Sequence, residues 1–494
     1  MLKKARIILA AVVMTLITLL FLDFTGTIRC WAGWTAKIQF LPALLALNFV
    51  VVAALIILTL VFGRIYCSIV CPLGIMQDLI SSLRKKKNRF SFSPEKKWLR
   101  YAVLAVFVLA LILGVHALVA LLAPYSSYGR IAQNLLRPVY EAGNNVLAAI
   151  AAHYGSYAFY SVDIWIRSLA TFAVAAVTFV IIAILAWRNG RTYCNTICPV
   201  GTVLSFIARF SWLKVRIDAD KCRTCGKCSR NCKASCIDFK NMKVDYSRCV
   251  VCGNCLENCS FDALHYTRRP AAKPAEAPAE TAPATDTGRR NFLVGAALAA
   301  SSTLLAQEDK KVDGGLAVIL DKQPPARQTP LTPPGSISAA NLHKRCTACQ
   351  LCVSQCPNGV LRPSTDLTTL MQPFMSYEDG YCRPECNRCS SVCPTGAIQP
   401  LSLADKSSTQ IGHAVWVGKN CIPLVDRVEC GNCARHCPAG AIEMVQMNKA
   451  DSNSLKYPVL NESRCIGCGA CEYVCPARPF SAIYVEGHEV HKTI

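Results

Sequence analysis

Six runs of four closely spaced cysteines use 24 of the 30 cysteines in this chain of 494 residues, and they leave it few folds to choose from. Cys222, Cys225, Cys228 and Cys232 read C-x2-C-x2-C-x3-C, and Cys249, Cys252, Cys255 and Cys259 repeat that spacing. Cys346, Cys349, Cys352, Cys356 and Cys465, Cys468, Cys471, Cys475 keep it and add a proline after the fourth cysteine. Two variants complete the set: Cys382, Cys386, Cys389, Cys393 opens one residue wider, and Cys421, Cys430, Cys433, Cys437 has its first cysteine set far back. Two x2 gaps let one tight loop aim three thiolates at a cubane, while the fourth cysteine, on the next turn, reaches a partner cluster. Zinc ribbons use two CxxC pairs instead, so the close triplets argue for iron–sulfur cubanes. The runs predict six [4Fe-4S] clusters. This chain moves electrons.

Hydrophobic residues make up 52% of the sequence, which predicts that part of it lies in a membrane. The formal net charge of +22 is offset in part by the clusters, each of which carries about −2 with its four thiolates when oxidised. The remaining basic excess sits beside the apolar segments, as cytoplasmic membrane flanks do, and nucleic-acid binding is not expected.

Four apolar stretches, near Ile7–Phe24, Leu41–Phe62, Trp98–Ala123 and Ser168–Trp187, are long enough to cross a bilayer. The first lacks an A-x-A cleavage site and reads as a retained helix. Basic residues gather before the first stretch (Lys3, Lys4, Arg6), after the second (Arg84 to Arg100) and after the fourth (Arg188, Arg191). That bias places those segments in the cytoplasm. Gly63-Arg-Ile-Tyr-Cys-Ser-Ile-Val-Cys-Pro-Leu-Gly74 matches Gly190-Arg-Thr-Tyr-Cys-Asn-Thr-Ile-Cys-Pro-Val-Gly201 at seven of twelve positions. The half is thus expected to be two related helix pairs, with Cys67, Cys71, Cys194 and Cys198 converging. Spacing of four puts two cysteines on one face of a helical turn. The four are candidates either for an additional metal or redox site or for paired structural thiols. Cys30 and Cys236 have no partner run and read as small thiols. His116, Tyr125, Tyr128, Arg130, Tyr140 and His153, near the outer ends of the third and fourth stretches, are either quinol-binding groups or an interfacial belt.

Residues 217–268 hold two runs around a segment, Ile237–Tyr246, suited to a hairpin: one compact two-cluster ferredoxin. Crossover of the fourth cysteines gives Cys222, Cys225, Cys228, Cys259 and Cys249, Cys252, Cys255, Cys232. Residues 269–287, rich in Pro and Ala, read as a flexible linker. Gly288-Arg-Arg-Asn-Phe-Leu-Val and the mildly apolar stretch to Ala306 read as a twin-arginine signal or anchor, a route that exports folded, cluster-loaded domains. Residues 335–490 hold the last four runs. A crossover of the ferredoxin-family kind would pair the outer runs, giving Cys346, Cys349, Cys352, Cys475 and Cys465, Cys468, Cys471, Cys356. Pairing the inner ones gives Cys382, Cys386, Cys389, Cys437 and Cys421, Cys430, Cys433, Cys393. Ala397-Ile398, Ala441-Ile442 and Ala482-Ile483 are expected as closing strands.

With these motifs, residues 1–268 resemble the NapH-type membrane quinol dehydrogenases, with four helices, paired CxxxCP loops and a cytoplasmic two-cluster ferredoxin. Residues 288–494 resemble the exported four-cluster NapG/MauM-type ferredoxins, through Thr332-Pro-Pro-Gly335, Cys346-Thr-Ala-Cys-Gln-Leu-Cys352 and Ile411-Gly-His-Ala-Val-Trp416. The resemblance implies a multi-domain fold: an all-α four-helix membrane domain (residues 1–216) plus α+β bacterial-type ferredoxin modules, fused in one chain. It implies an electron-transfer subunit in the bacterial inner membrane, with residues 217–268 cytoplasmic and 307–494 periplasmic. Electrons would pass from the quinone pool to a periplasmic reductase or cytochrome. Two rivals stand beside this: a cytoplasm-to-periplasm wire fed by soluble ferredoxin, which needs a cofactor at the CxxxCP cysteines, and a redox-sensing assembly protein. No residue pattern marks a catalytic acid, base or nucleophile.

Overall fold

The computed structural model describes residues 2–84, 90–156, 158–164, 168–268, 320–448, 451 and 454–494. The linker expected at 269–287 and the twin-arginine-like segment at 288–306 lie outside the described residues.

The first 208 residues form helices: α1 (Leu2–Leu22), α2 (Arg29–Lys37), α3 (Phe40–Leu45), α4 (Phe49–Phe62), α5 (Tyr66–Ile69), α6 (Pro72–Ser82), α7 (Lys97–Leu113), α8 (His116–Leu122), α9 (Pro124–Ile131), α10 (Arg137–His153), α11 (Leu169–Asn189) and α12 (Pro199–Ala208). Two of the four expected spans, Lys3–Leu22 and Leu169–Asn189, are continuous apolar helices long enough to cross a membrane. The other two are broken. Asn48 stops the second: its side chain accepts a bond from the Val51 N–H and starts α4 afresh, leaving 14 residues. Gly114 ends α7 in the left-handed conformation that only glycine adopts at little cost, and α8 begins two residues later.

The sequence repeat is also a repeat of architecture. In each copy an apolar helix, α4 or α11, ends at a glycine with positive φ (Gly63 at 74°, Gly190 at 69°). A cysteine-bearing turn follows, and then a short helix, α6 or α12, opened by Pro72 or Pro199, whose missing N–H costs nothing in a first turn. The turn is α-helical over Tyr66–Ile69 but π-helical over Tyr193–Ile197. Cys71 and Cys198 are extended residues capping α6 and α12. The paired cysteines therefore do not share one helical turn, as their spacing had suggested.

Each ferredoxin body is built on short antiparallel pairs. In the first, β1 (Lys214–Ile217) pairs with a later strand while β2 (Ile237–Asp238) and β3 (Lys243–Val244) form the expected hairpin; the partner of β1 is β4 (Leu264–Thr267). The second contains β5 (Leu361–Pro363), β6 (Pro373–Met375), β7 (Thr409–Trp416), β8 (Ile442–Gln446), β9 (Lys456–Leu460) and β10 (Ile483–Thr493), paired β5–β6, β7–β10 and β8–β9. Ile442 and Ile483 open β8 and β10 as expected, but Ala397-Ile398 lies in a bend.

The two bodies sit at opposite ends of the helical domain, and α1 measures the gap. Lys3 Nζ pairs with Glu257 of the first body at 2.6 Å, while the Leu20 carbonyl accepts from Gln355 Nε2 of the second at 2.8 Å. Seventeen residues of helix separate them, roughly 26 Å. Hydrogen bonds fix both ends. At the first, Trp212 N and Leu213 N bond to the carbonyls of Leu60 and Val61. At the second, Asn134 Nδ2 reaches Gln350 and Arg137 Nη1 reaches the Ser354 carbonyl. Of these, the bond from the charged Arg137 contributes about 1.5–3 kcal/mol.

Candidate electron-transfer centres

Four of the cysteine runs fold in one way. Each places the residue before its second cysteine and the residue after it in the left-handed region: Thr224 and Gly226, Val251 and Gly253, Ala348 and Gln350, Gly467 and Gly469. Alternating handedness turns successive N–H groups toward one concave side, a cradle for anions that many iron–sulfur sites use. Further N–H groups point at sulfur: Ala348 N to Cys346, Ala263 N to Cys259, Ala441 N to Cys437 and Ala482 N to Cys475, all at 3.3–3.4 Å. The loops fit clusters bound through thiolates. Burial pushes Cys252 up to about 11 and Cys468 up to about 12, so these sulfurs ionise only where a cation offsets the charge.

The crossover in the first body is as expected. Cys222, Cys225, Cys228 and Cys259 line one cavity. Cys232 lies with Cys249 and Cys252 within electrostatic range of Cys255. In the second body the expected pairing of outer and inner runs is wrong, because neighbours in sequence pair. Cys393 faces Cys346, Cys349 and Cys352, and Cys356 joins Cys382, Cys386 and Cys389. Cys437 lines a cavity with Cys465, Cys468 and Cys471, and Cys475 faces Cys421, Cys430 and Cys433. The connections explain this. The β5–β6 hairpin folds the chain straight back from Cys356 to Cys382, and β8–β9 does the same between Cys437 and Cys465.

The sets also have an order. Cys352 faces Cys389, which links the set of Cys346 to that of Cys382. Cys382 N bonds to the Cys468 carbonyl at 2.9 Å, so the set of Cys465 comes next. The set of Cys421 lies beyond it, within range of Cys475 on the turn after Cys471. The end nearest the helices is the set of Cys346, for a Cβ on Gly129 of α9 would lie 2.4 Å from the Cys349 carbonyl.

Between the bodies, Cys67, Cys71, Cys194 and Cys198 do converge. All four are buried, and each of Cys71 and Cys198 lies within electrostatic range of Cys67 and Cys194. The two copies lock each other. Arg64 Nη2 donates to the Cys194 carbonyl at 3.0 Å, and Arg191 Nη1 donates to the Cys67 carbonyl at 2.5 Å. A Cβ on Gly74 would lie 2.6 Å from Arg191 Nη1, and one on Gly201 would lie 2.9 Å from Arg64 Nη2. Each glycine makes room for the arginine of the other copy.

The charges around this centre do not balance with neutral thiols. Arg6 (2.9 Å), Arg191 (2.8 Å) and Lys233 (3.6 Å) converge on one carboxylate, Asp78, and Arg64 binds only neutral groups: Asn195, two carbonyls and the Cys67 sulfur. Buried charge is costly unless it is paired. Arg64 Nε and Arg191 Nη2 also lack partners. An anionic, thiolate-bound centre fits that surplus. Among the described residues no three Cys, His, Asp or Glu side chains close around a single ion, here or in the ferredoxin loops.

This centre is bonded to the first body and approaches the second through two tyrosines. Arg191 N bonds to the Lys233 carbonyl and Asn195 Nδ2 to that of Ala234. On the other side, Tyr66 lies within electrostatic range of Cys67, Cys71 and Cys198, and Tyr125 within range of Tyr66, Cys349 and Cys393. Of the residues weighed for quinol binding, Tyr125, Tyr128, Arg130 and His116 are buried in helix packing, while Tyr140 and His153 are exposed. Cys30 is exposed. Cys236 is not an isolated thiol: its sulfur lies 3.5 Å from Cys232. The Cys236 S–H, opposed by burial, pulls Cys232 down to about 7.

Comparison with known proteins agrees with these sets. Residues 44–91 and 171–218 match the 4Fe-4S binding domain family, and 426–478 and 245–360 match 4Fe-4S dicluster domains. Each copy of the first holds two cysteines only. The methylamine utilization ferredoxin-type protein MauM of Methylophilus methylotrophus is 33% identical over 164 residues, 32% of this chain and 71% of MauM. This chain belongs to the MauM-type ferredoxins. It is thus an iron–sulfur electron-transport protein that binds [4Fe-4S] clusters. The putative electron transport protein YccM of Escherichia coli is 29% identical over 199 residues, 39% of this chain and 47% of YccM. MauN of Paracoccus denitrificans is 27% identical over 178 residues, 35% of this MauM-type chain and 49% of MauN. The chain spans about half the length of these two. No solved structure matches it. The dicluster match at 245–360 joins runs that belong to different bodies, and the cavity linings take precedence for ligand assignment.

Six cubanes carry about 24 irons. Anaerobically purified protein is expected to exceed that value by the content of the four-cysteine centre. A total near 16, or zinc in place of iron, would contradict the ligand sets.

Proposed function

We propose that this chain is a membrane electron conduit, in which the helical domain carries electrons between a cytoplasmic two-cluster ferredoxin (residues 217–268) and a periplasmic four-cluster one (335–490). One observation carries the reading: the thiol sets form a sequence, with the four-cysteine centre bonded to the first body at Lys233 and Ala234 and linked toward Cys349 of the second through Tyr66 and Tyr125. They run from Cys222 through Cys249 to the four-cysteine centre, and on through Cys346, Cys382 and Cys465 to Cys421. Iron–sulfur centres supply one-electron redox chemistry when bound. The chain's own residues hold them at fixed separations, bury them, and set their charge. Arg64 and Arg191 hold the central cysteines from both copies at once, and Tyr66 and Tyr125 fill the space toward Cys349 and keep water out. The test is a vesicle with the first body exposed and no quinone present. Reduced soluble ferredoxin added outside is expected to bleach the second body's clusters. Reduction that appears only after quinol is added overturns the conduit.

A second reading, in which quinol feeds the second body and a periplasmic reductase or cytochrome drains it, has its own observation. A cleft of about 450 Å³ lies where the helices meet the second body, walled by Phe24 and Tyr160 and lined by Arg137, Glu141, Asp163 and Cys356. Aromatic walls, a carboxylate and a cluster ligand suit a quinol headgroup giving up protons and electrons. Under this reading Glu141→Gln slows quinol-driven reduction about tenfold or more, the usual span for lost proton transfer. Reduction by soluble ferredoxin stays unchanged. Equal rates with quinol in both proteins would rule it out.

A further inference from the structure

Five of the six fourth cysteines, all but Cys475, are followed by a common pattern. Four residues after Cys259, Cys393, Cys437 and Cys356 stand Ala263, Ala397, Ala441 and Val360, each buried to within 2%. Each is followed by Leu or Ile. In two of these the alanine N–H is seen donating to the fourth cysteine's sulfur: Ala263 to Cys259 and Ala441 to Cys437. That position therefore lies against the cluster, and it is filled by a small inert side chain. After Cys232 the same position is Cys236, followed by Ile237. It is equally buried, at 1%, and its backbone N–H bonds to the Cys232 sulfur just as the alanines do. Only the side chain differs. Where the others present a methyl, this one presents a thiol, 3.5 Å from Cys232 Sγ and hydrogen-bonded to Cys249 as well.

Five cysteines thus surround a site that needs four. We propose that Cys236 belongs to the coordination shell of the first body's second cubane, as an S–H donor to the Cys232 and Cys249 sulfurs in the intact site and as the standby ligand when Cys232 is lost. A hydrogen bond to a ligand sulfur stabilises the reduced, more negative cluster and raises its potential. In the standby role Cys236 gives its proton to water, and its thiolate takes the iron that Cys232 leaves open. No electron is gained or lost. A sulfur 3.5 Å from Cys232 needs only a rotamer change and a small shift of the turn to reach that iron. This cubane is the one against the four-cysteine centre, so a second ligand would protect the step on which the proposed conduit depends. The inference itself rests only on the ferredoxin fold.

The test uses the full chain purified anaerobically, with iron content and the electron paramagnetic resonance of each cluster as readouts. Cys232→Ala is expected to keep the second cubane, whereas Cys255→Ala, which opens the site at another corner, loses about four irons. The double variant Cys232→Ala/Cys236→Ala is expected to lose the same four. Cys236→Ala alone keeps its iron, and the midpoint potential of that cubane falls. Signals from the other clusters report that each variant is folded. Loss of the cubane in Cys232→Ala, to the extent seen in Cys255→Ala, overturns the standby ligand. An unchanged potential in Cys236→Ala overturns the donor.

Discussion

Alanine in place of any one of Cys67, Cys71, Cys194 or Cys198 is expected to stop electrons from passing between the two ferredoxin bodies. All four variants should behave alike. The reason is the shared shell proposed for them: each sulfur would be a quarter of the ligand set, and three thiolates beside Arg64, Arg191, Arg6 and Lys233 would not hold a four-thiolate cluster. The iron in excess of about 24 should vanish in each. Changes one layer out should be severe but graded. Gly74→Ala and Gly201→Ala drive a methyl into the opposite arginine and the cysteine carbonyl, at 2.3 Å from Cys67 O and 2.3 Å from Cys194 O. Losses of about 10–100-fold are usual for groups that orient ligands. The measurement is the rate at which second-body clusters are reduced from the first-body side, with membrane levels matched. If the four thiols are merely buried small side chains, the variants will differ and most will be mild. Near wild-type transfer in any two of them would defeat the shared centre.

Much of this centre was legible in the sequence, and what was not legible has a common cause. The twelve-residue repeat announced that two turns would be alike, and likeness under pseudo-symmetry brought four cysteines together. The arginine exchange was invisible, because Arg64 and Arg191 match each other in the repeat while each serves the other copy. Cysteine spacing is local information and named all 24 ferredoxin cysteines. Which fourth cysteine crosses to which loop is set by hairpins between runs, β5–β6 and β8–β9, whose short irregular sequences gave no periodic signal. Hydropathy found four apolar stretches but not the breaks at Asn48 and Gly114, since a single cap outweighs propensity without altering the average. Cys236 went unrecognised because its role appears only when the residues after each fourth cysteine are laid side by side. The left-handed pairs in four loops had a partial signal in Gly226, Gly253, Gly467 and Gly469, and none in Gln350, which adopts φ 63° without being glycine.

Removing single clusters along the second body is expected to give a graded result that reads out their order. Cys393→Ala, at the set nearest the helices, should leave the three later clusters oxidised when electrons enter from the first body. Cys356→Ala should leave two oxidised, those of Cys465 and Cys421, and Cys437→Ala only the set of Cys421. Cys430→Ala should leave every remaining cluster reducible and remove only delivery to an external acceptor. This follows from adjacency: Cys352 faces Cys389, and Cys382 N is bonded to the Cys468 carbonyl. The set of Cys421 lies beside the turn that carries Cys475. The outer-and-inner pairing suggested by the run order predicts a different pattern. There Cys356 would belong with Cys465, and its loss would spare the set of Cys382. Freeze-quenched spectra after a single addition of donor distinguish the two, because each missing cluster marks where the electrons halt. A variant that loses Cys356 yet still reduces the sets of Cys465 and Cys421 at the normal rate would break the linear order.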